Sequence, residues 1–470
     1  FHILERTYSN VCPFSVKKVG KTRNGKLSDL IYMTREQEKK YRGFLYLILL
    51  AGITALILTI YFAYWDKIPS TIKIRAGVEQ ELDFRVPISG EIYRIQEEAA
   101  QVSSVTELAD TGILEEDEST GSIHVDFAHT VKVRANEIDT YQMDLKLFGV
   151  LPYKNVDVQV IQDKLLIPSG IPIGIYVKTN GVLVVGIGEF ENSDGDTVSP
   201  AKYVLQKGDY ILKINGEEVE NKKQLIRLVE ESEGEDMVLT IKRNDEITDV
   251  MIEPDKNKGS EWKLGIWIRD NAQGIGTMTY EGTDHTFGAL GHGINDVDTS
   301  ILMNLEEGML YKTEIVGITR GTNGSPGELT GYIEYDSENV IGEITENTSE
   351  GIFGICDETR MEDSAYEPIP IALKQEISLG PAQIICSVSS EPEFYDVEIV
   401  EVNLEHENVN RGIVIRVVDE KLLTLTGGII QGMSGSPIIQ NGKLVGAVTH
   451  VLVNDSTRGY GIFIEEMLTH

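Results

Sequence analysis

The hydrophobic pattern changes character along the chain. First comes an unbroken apolar run, FLYLILLAGITALILTIYFAY from Phe44 to Tyr64, with no charge over 21 residues. A helix of that length, at ~1.5 Å per residue, spans the ~30 Å hydrocarbon core of a bilayer. Tyr46, Tyr61, Tyr64 and Trp65 stand near its ends like an interfacial belt. A transmembrane anchor over 43–65 is therefore expected. Beyond it the runs become short and alternate apolar with polar: STIKIRAG, QELDFRVP, VKVRANE, and DLKLFGVLPYKNVDVQVI with Val156, Val158 and Val160 on one face. They predict a small β module over 66–165, interrupted at about Gln96–Gly121 by a polar, acidic insertion. Residues 166–256 read as strands, a tight Asn215-Gly216 hairpin and one amphipathic helix carrying Leu225, Ile226, Leu228 and Val229. From 257 to 470 short strands recur between glycine turns at ~8–12 residue spacing, the signature of sandwiches and barrels. The fold class expected is mainly β, and the last region has room for two β-barrels.

Charge adds orientation to this picture. The 470 residues carry a formal charge of −33, yet residues 1–42 are net positive at +6, with ten basic and four acidic side chains. By the positive-inside rule the basic segment is cytoplasmic and everything after the anchor is extracytoplasmic. An exported part this acidic is repelled by phosphate backbones, which excludes nucleic acid as a partner. No small-residue cleavage site follows the apolar run, so an uncut anchor is expected. The first methionine is Met33, directly before the anchor, and residues 1–32 are read as lying upstream of the true start. Three cysteines, Cys12, Cys356 and Cys386, are too few for a disulfide framework or a zinc site.

Within 166–256, the order of two strands, the hairpin GDYILKING, a helix and a strand resembles a PDZ domain. The resemblance implies a peptide groove in which Gly170, Ile171, Pro172, Ile173 and Gly174 form the carboxylate-binding loop. Pro172 removes one N–H donor from that loop, so docking of an internal segment or of another domain stands equally open.

The strongest chemical signal is GGIIQGMSGSPIIQNGKLVGAVTHVLV, from Gly427 to Val453. A serine tight between glycines and followed by strand, turn and strand suits a nucleophile, with the Gly432 and Ser434 N–H groups converging as an oxyanion hole. Ser434 is preferred over Ser436, which lacks the Gly-x-Ser-Gly setting. The string is similar to that of chymotrypsin-like proteases, in which a strand lining the cleft follows the serine. Among the eight histidines, His292 in FGALGHGIND is the candidate base, 142 residues before Ser434; His285 and His450 are its rivals. Asp419, ending the strand GIVIRVVD 15 residues before Ser434, is the candidate orienting acid, with Asp296, Asp298 and Asp455 as alternatives.

Together, anchor, β spacer, PDZ and a region carrying ALGHG, GMSGSPIIQNGK, AVTHVLVND and GYGIFIE resemble the stage IV sporulation protein B family of endospore-forming bacteria. The resemblance covers Met33 to His470 and implies a His, Asp, Ser triad at His292, Asp419 and Ser434. It also implies a protease exported by the forespore into the intermembrane space. There it would cleave itself and the extracytoplasmic part of a membrane-bound inhibitor, freeing an intramembrane metalloprotease to process pro-sigma-K. No cofactor or metal is expected: NSDGD (Asn192 to Asp196) lacks the glutamate of a calcium loop, and HExxH is absent. Two rival functions remain, a membrane-tethered PDZ scaffold with an inert protease fold and an envelope quality-control protease.

Overall fold

The computed structural model describes residues 35–94, 116–117, 122–357, 366–388, 391–405 and 408–470. Residues 1–32, most of the acidic insertion, His2 and His406 lie outside the described residues. The chain divides into two units, Phe1–Asp66 and Lys67–His470. In the first, helix α1 (Arg35–Trp65) is one continuous element whose Lys39–Trp65 portion is long and apolar enough to cross a membrane.

The second unit begins with the expected β module: β1 (Thr71–Arg75), β2 (Ile88–Arg94), β3 (Ser122–Asp126), β4 (Thr140–Leu147) and β5 (Leu151–Ile161), paired in the order β1-β5-β4-β2-β3. The period-2 alternation does what it predicted, since Val156, Val158 and Val160 are all buried. The module is tied to the C-terminal barrel by the buried Arg75, whose guanidinium meets both Glu376 oxygens at 2.6 and 2.8 Å and the Ile371 carbonyl at 2.7 Å. A bidentate pair of this kind fixes orientation as well as contact.

Two very long strands organise the rest. Following β6 (Leu165–Pro168), β7 (Pro172–Ile187) pairs through its first half with the middle of β11 (Ile266–Gly282) and with β13 (Leu305–Thr319). Its second half pairs with the start of β11 and, at Val182 and Leu183, with β8 (Tyr210–Ile214). With β12 (Thr286–Ala289), β14 (Val340–Thr348) and β15 (Gly351–Cys356), the cycle β7-β13-β14-β15-β12-β11 closes on itself as a first barrel. Its interior holds Ile173, Ile175, Met278, Phe287, Leu310 and Ile352.

The PDZ part grows from the far ends of the same two strands. It adds β8, helix α2 (Lys222–Glu231), β9 (Met237–Arg243) and β10 (Glu246–Ile252), with Val182, Val184, Leu225, Val229, Leu239 and Ile241 in its core. The Asn215-Gly216 turn is the expected two-residue hairpin, both residues at positive φ (51° and 85°). Asn221 caps α2 by accepting from Gln224 N–H. The PDZ fold is thus an insertion into the first barrel, and residues 166–179, grouped with it by sequence, pair inside the barrel.

The second barrel comprises β16 (Gly380–Cys386), β17 (Glu393–Val402), β18 (Ile413–Val417), β19 (Pro437–Gln440), β20 (Lys443–Leu452) and β21 (Asp455–Phe463), closed in the order β16-β17-β18-β21-β20-β19. Helix α3 (Glu420–Thr426) leads into the Gly427–Ser436 loop. Between the barrels Leu166, Tyr280 and Phe353 from the first pack with Leu444, Ala447 and Ile462 from the second. Each such fully buried side chain stabilises the contact by about 1.5–3 kcal/mol, which holds the Ser434 loop against β11.

Candidate active site

The Gly427–Ser436 loop is shaped by its glycines and clamped from the other barrel. Gly432 and Gly435 both sit at left-handed φ, +96° and +98°. At Gly435 a Cβ would lie 1.9 Å from the Thr277 carbonyl oxygen and 2.6 Å from Leu290 N. Only glycine lets β11 come this close. Three bonds from β11 then fix the loop: Thr277 N–H donates to the Ser434 carbonyl (2.9 Å), Thr277 Oγ1 to the Gly432 carbonyl (2.8 Å) and Thr279 Oγ1 to the Gly435 carbonyl (2.8 Å). From the second barrel's side Gly435 N–H donates to the Val448 carbonyl at 2.7 Å.

This arrangement leaves two donors over. Neither the Gly432 N–H nor the Ser434 N–H has a protein acceptor among the described residues. They are the pair expected to receive an oxyanion. The Ser434 hydroxyl donates to the Thr449 carbonyl on β20 at 2.7 Å. Ser436, its rival, is fully buried with its hydroxyl unpartnered, out of reach of a substrate.

His292 follows two left-handed residues, Leu290 (φ 69°) and Gly291 (φ 68°), which turn the chain after β12. Its Nδ1 lies 2.9 Å from the Gly293 carbonyl, and its ring centroid is 4.7 Å from that of His450. Burial holds the His292 imidazole below its ordinary pKa, against the Gly293 bond, which raises it. His450 is pushed down to about 4 by burial, then by His292 and Arg411. Asn410 ties these pieces together: its Nδ2 donates to the Gly291 carbonyl (2.6 Å) and its carbonyl accepts from Thr449 Oγ1 (2.7 Å). Serine and histidine therefore converge on the Thr449–His450 segment, though the serine hydroxyl faces a carbonyl and not the imidazole.

Asp419 does not join them. It is the N-cap of α3, accepting from Leu422 N–H at 2.9 Å, and its charge borders Tyr395 and Cys386. Strand-end aspartate followed by a helix is a capping pattern. The structure thus corrects the expectation that Asp419 orients His292, and among the described residues no carboxylate is bonded to or ion-paired with that ring. The rival acids are engaged elsewhere: Asp296 and Asp298 with Arg269, and Asp455 with Thr457. His285 sits in a turn at φ 66° with its Nδ1 buried and unpartnered.

A second correction concerns Gly170 to Gly174. Gly170 N–H donates to the Met278 carbonyl at 2.9 Å, the Ile171 carbonyl accepts from Met278 N–H, and Pro172, Ile173 and Gly174 run in register with Thr277, Gly276 and Ile275 of β11. On the opposite edge Ile173 and Gly174 pair with Lys312 and Tyr311. This segment is interior barrel strand and cannot cradle a carboxylate. A groove of ≈ 630 Å³ instead runs between α2 and the start of β11, lined by Leu225, Ile226, Val229, Leu264, Ile266 and Trp267. Beside it Gly265 is left-handed (φ 71°), and neither Leu264 N–H nor Gly265 N–H meets a protein acceptor among the described residues. The sequence signal for it was KLGI, a glycine between apolar residues in the string read only as a strand, LGIWIRD. Thr277 and Thr279 were also missed, because their role needs the partner barrel. Among the described residues no cluster of three or more His, Cys, Asp and Glu side chains is placed to hold a metal ion, and Cys356 and Cys386 are free and buried. Asn192 of NSDGD accepts from Asp194 N–H and Asp196 N–H in a local turn.

Comparison with known proteins agrees with the two domain types. The SpoIVB peptidase S55 family model matches residues 260–468, and a PDZ domain model matches residues 193–243. No curated protein matches the chain. Solved structures similar to it include the PDZ domain of an SdrC-like protein from Listeria monocytogenes, 23% identical with a TM-score of 0.16, covering 19% of this chain and 87% of that one. Another is the active form of the Rv3671c protease from M. tuberculosis, 14% identical with a TM-score of 0.23, covering 42% of this chain and 71% of that one. With a SpoIVB peptidase S55 domain and a PDZ domain in one chain, the protein matches the stage IV sporulation protein B family.

Proposed function

We propose that this peptidase is a serine endopeptidase of sporulation signalling, with Ser434 as nucleophile and His292 as base. The observation that carries the reading is the Ser434 loop, held by three bonds from the opposite barrel so that the Gly432 and Ser434 N–H groups stay unbonded beside the serine. In the mechanism His292 takes the Ser434 proton, Ser434 Oγ attacks a peptide carbonyl, and His292 returns the proton to the leaving amine. Each free N–H stabilises the oxyanion by about 3 kcal/mol. The hydroxyl must first leave the Thr449 carbonyl, a single χ1 rotation.

The family match supports a wider proposal. The basic N-terminal segment lies in the forespore cytoplasm, α1 spans the membrane once, and the peptidase acts in the intermembrane space. Its substrates are itself and the extracytoplasmic part of a membrane-bound inhibitor, whose loss lets an intramembrane metalloprotease process pro-sigma-K. Incubating the solubilised protein with that inhibitor's ectodomain, beside unfolded casein, tests this: cleavage of the ectodomain alone is expected, and rapid casein turnover instead marks a quality-control protease. A scaffold with an inert protease fold is favoured by one observation, the absence of a carboxylate on His292 among the described residues. Labelling with a fluorophosphonate separates the two, because an inert fold takes none.

A further inference from the structure

A histidine that serves as base to a serine needs one fixed tautomer and one fixed ring plane, tasks that a buried carboxylate performs in the usual triad. Here both are met by other groups. A carbonyl can only accept, so the 2.9 Å contact of His292 Nδ1 with the Gly293 oxygen puts the ring proton on Nδ1 and the lone pair on Nε2. The ring plane rests on His450, 4.7 Å away and inclined at 34°. His450 directly follows Thr449, whose carbonyl holds the Ser434 hydroxyl, so one strand positions both reacting groups. Asn410 locks that strand to the histidine turn through Gly291 and Thr449. Asp419, meanwhile, is committed to Leu422 N–H.

Resting on the serine-peptidase reading, we propose that His292 is oriented by the Gly293 carbonyl and by the ring of His450, a positioning residue, and not by a carboxylate. In the acylation step Nε2 gains the Ser434 proton, and the imidazolium is met by the Gly293 oxygen and the face of a neutral His450. Other charged groups near this cluster are Arg411, stacked over Tyr460 at 4.9 Å, and Glu350, paired with His470. The low pKa of His450 keeps it neutral through the working range, so it adds no repulsion when His292 charges.

The test is the rate of fluorophosphonate labelling of the full-length, detergent-solubilised protein from pH 4.5 to 9, with melting curves for each variant. His450→Ala is expected to slow labelling about 100-fold through ring misplacement. It also moves the acid limb to higher pH, because opening the ring to water relieves the burial that lowers the His292 pKa. His450→Phe keeps the stack and restores both rate and limb. Asp419→Asn, an equally good cap, labels within about threefold of wild type, whereas loss of a triad acid by the same change costs about 10⁴-fold. A thousandfold loss in Asp419→Asn overturns the proposal, as does a folded His450→Phe as slow as His450→Ala, or His450→Ala at the wild-type rate. Should His450→Ala unfold, the other two variants still decide. A wild type without label on Ser434 ends the serine-peptidase reading itself, and this proposal with it.

Discussion

Gly427–Ser436 and Gly170–Gly174 are both glycine-rich, and both lie against β11, yet they use that strand in opposite ways. Gly170 to Gly174 runs along β11 as a ladder, its N–H groups and carbonyls exchanged with Gly276 to Met278 on one edge and with β13 on the other. The Ser434 loop touches β11 only through carbonyls, which accept from Thr277 N–H and from the hydroxyls of Thr277 and Thr279. Its N–H groups at 432 and 434 are left pointing away from any protein acceptor. A glycine string therefore makes an anion site only where the neighbouring strand engages its carbonyls and leaves its amides alone.

Alanine at Gly435 should break the second arrangement with the largest effect. A Cβ 1.9 Å from the Thr277 oxygen at φ +98° costs more than about 4 kcal/mol, measured as a collapse of urea midpoint with loss of all fluorophosphonate labelling. Gly170→Ala meets Ile385 Cγ2 at 2.5 Å at φ +81° and should cost about 2–3 kcal/mol. Its folded fraction should still label Ser434, because the ladder it disturbs carries no chemistry; a specific loss of labelling there would erase the contrast. Thr279→Val removes one buried bond to Gly435 and should cost about 1–3 kcal/mol in a thermal melt. Smallest is Ile226→Asp on the exposed lip of the α2 groove, within about 0.5 kcal/mol in stability. It should leave Ser434 labelling unchanged while reducing capture of peptides selected on the groove from a random library about tenfold.

Much of this was legible from residue patterns. The charge-free run, the Asn215-Gly216 hairpin, the alternating Val156, Val158 and Val160 and the serine between glycines each have a local cause, so sequence reports them directly. What failed was whatever depends on a distant partner. IPIGIYVKTNGVLVVGI looks like two strands around an Asn180-Gly181 turn, but Gly181 (φ +81°) marks a register shift inside one continuous β7. A glycine kink and a glycine turn read alike until the neighbouring strand is known, and so the barrel strand was grouped with the PDZ domain. Asp419 failed for a similar reason: a carboxylate at a strand end suits a triad acid and a helix cap equally, and only the chain direction after it, into α3, decides. Thr277 and Thr279 carried no signal at all, since two threonines in a strand are ordinary β residues.

The central claim is that Ser434 is a nucleophile held ready by the opposite barrel. Its most direct test is mass-spectrometric mapping of a fluorophosphonate adduct on the solubilised full-length protein, wild type beside Ser434→Ala and His292→Ala. A single adduct on Ser434, absent from both variants, is predicted; an adduct that survives Ser434→Ala contradicts the account.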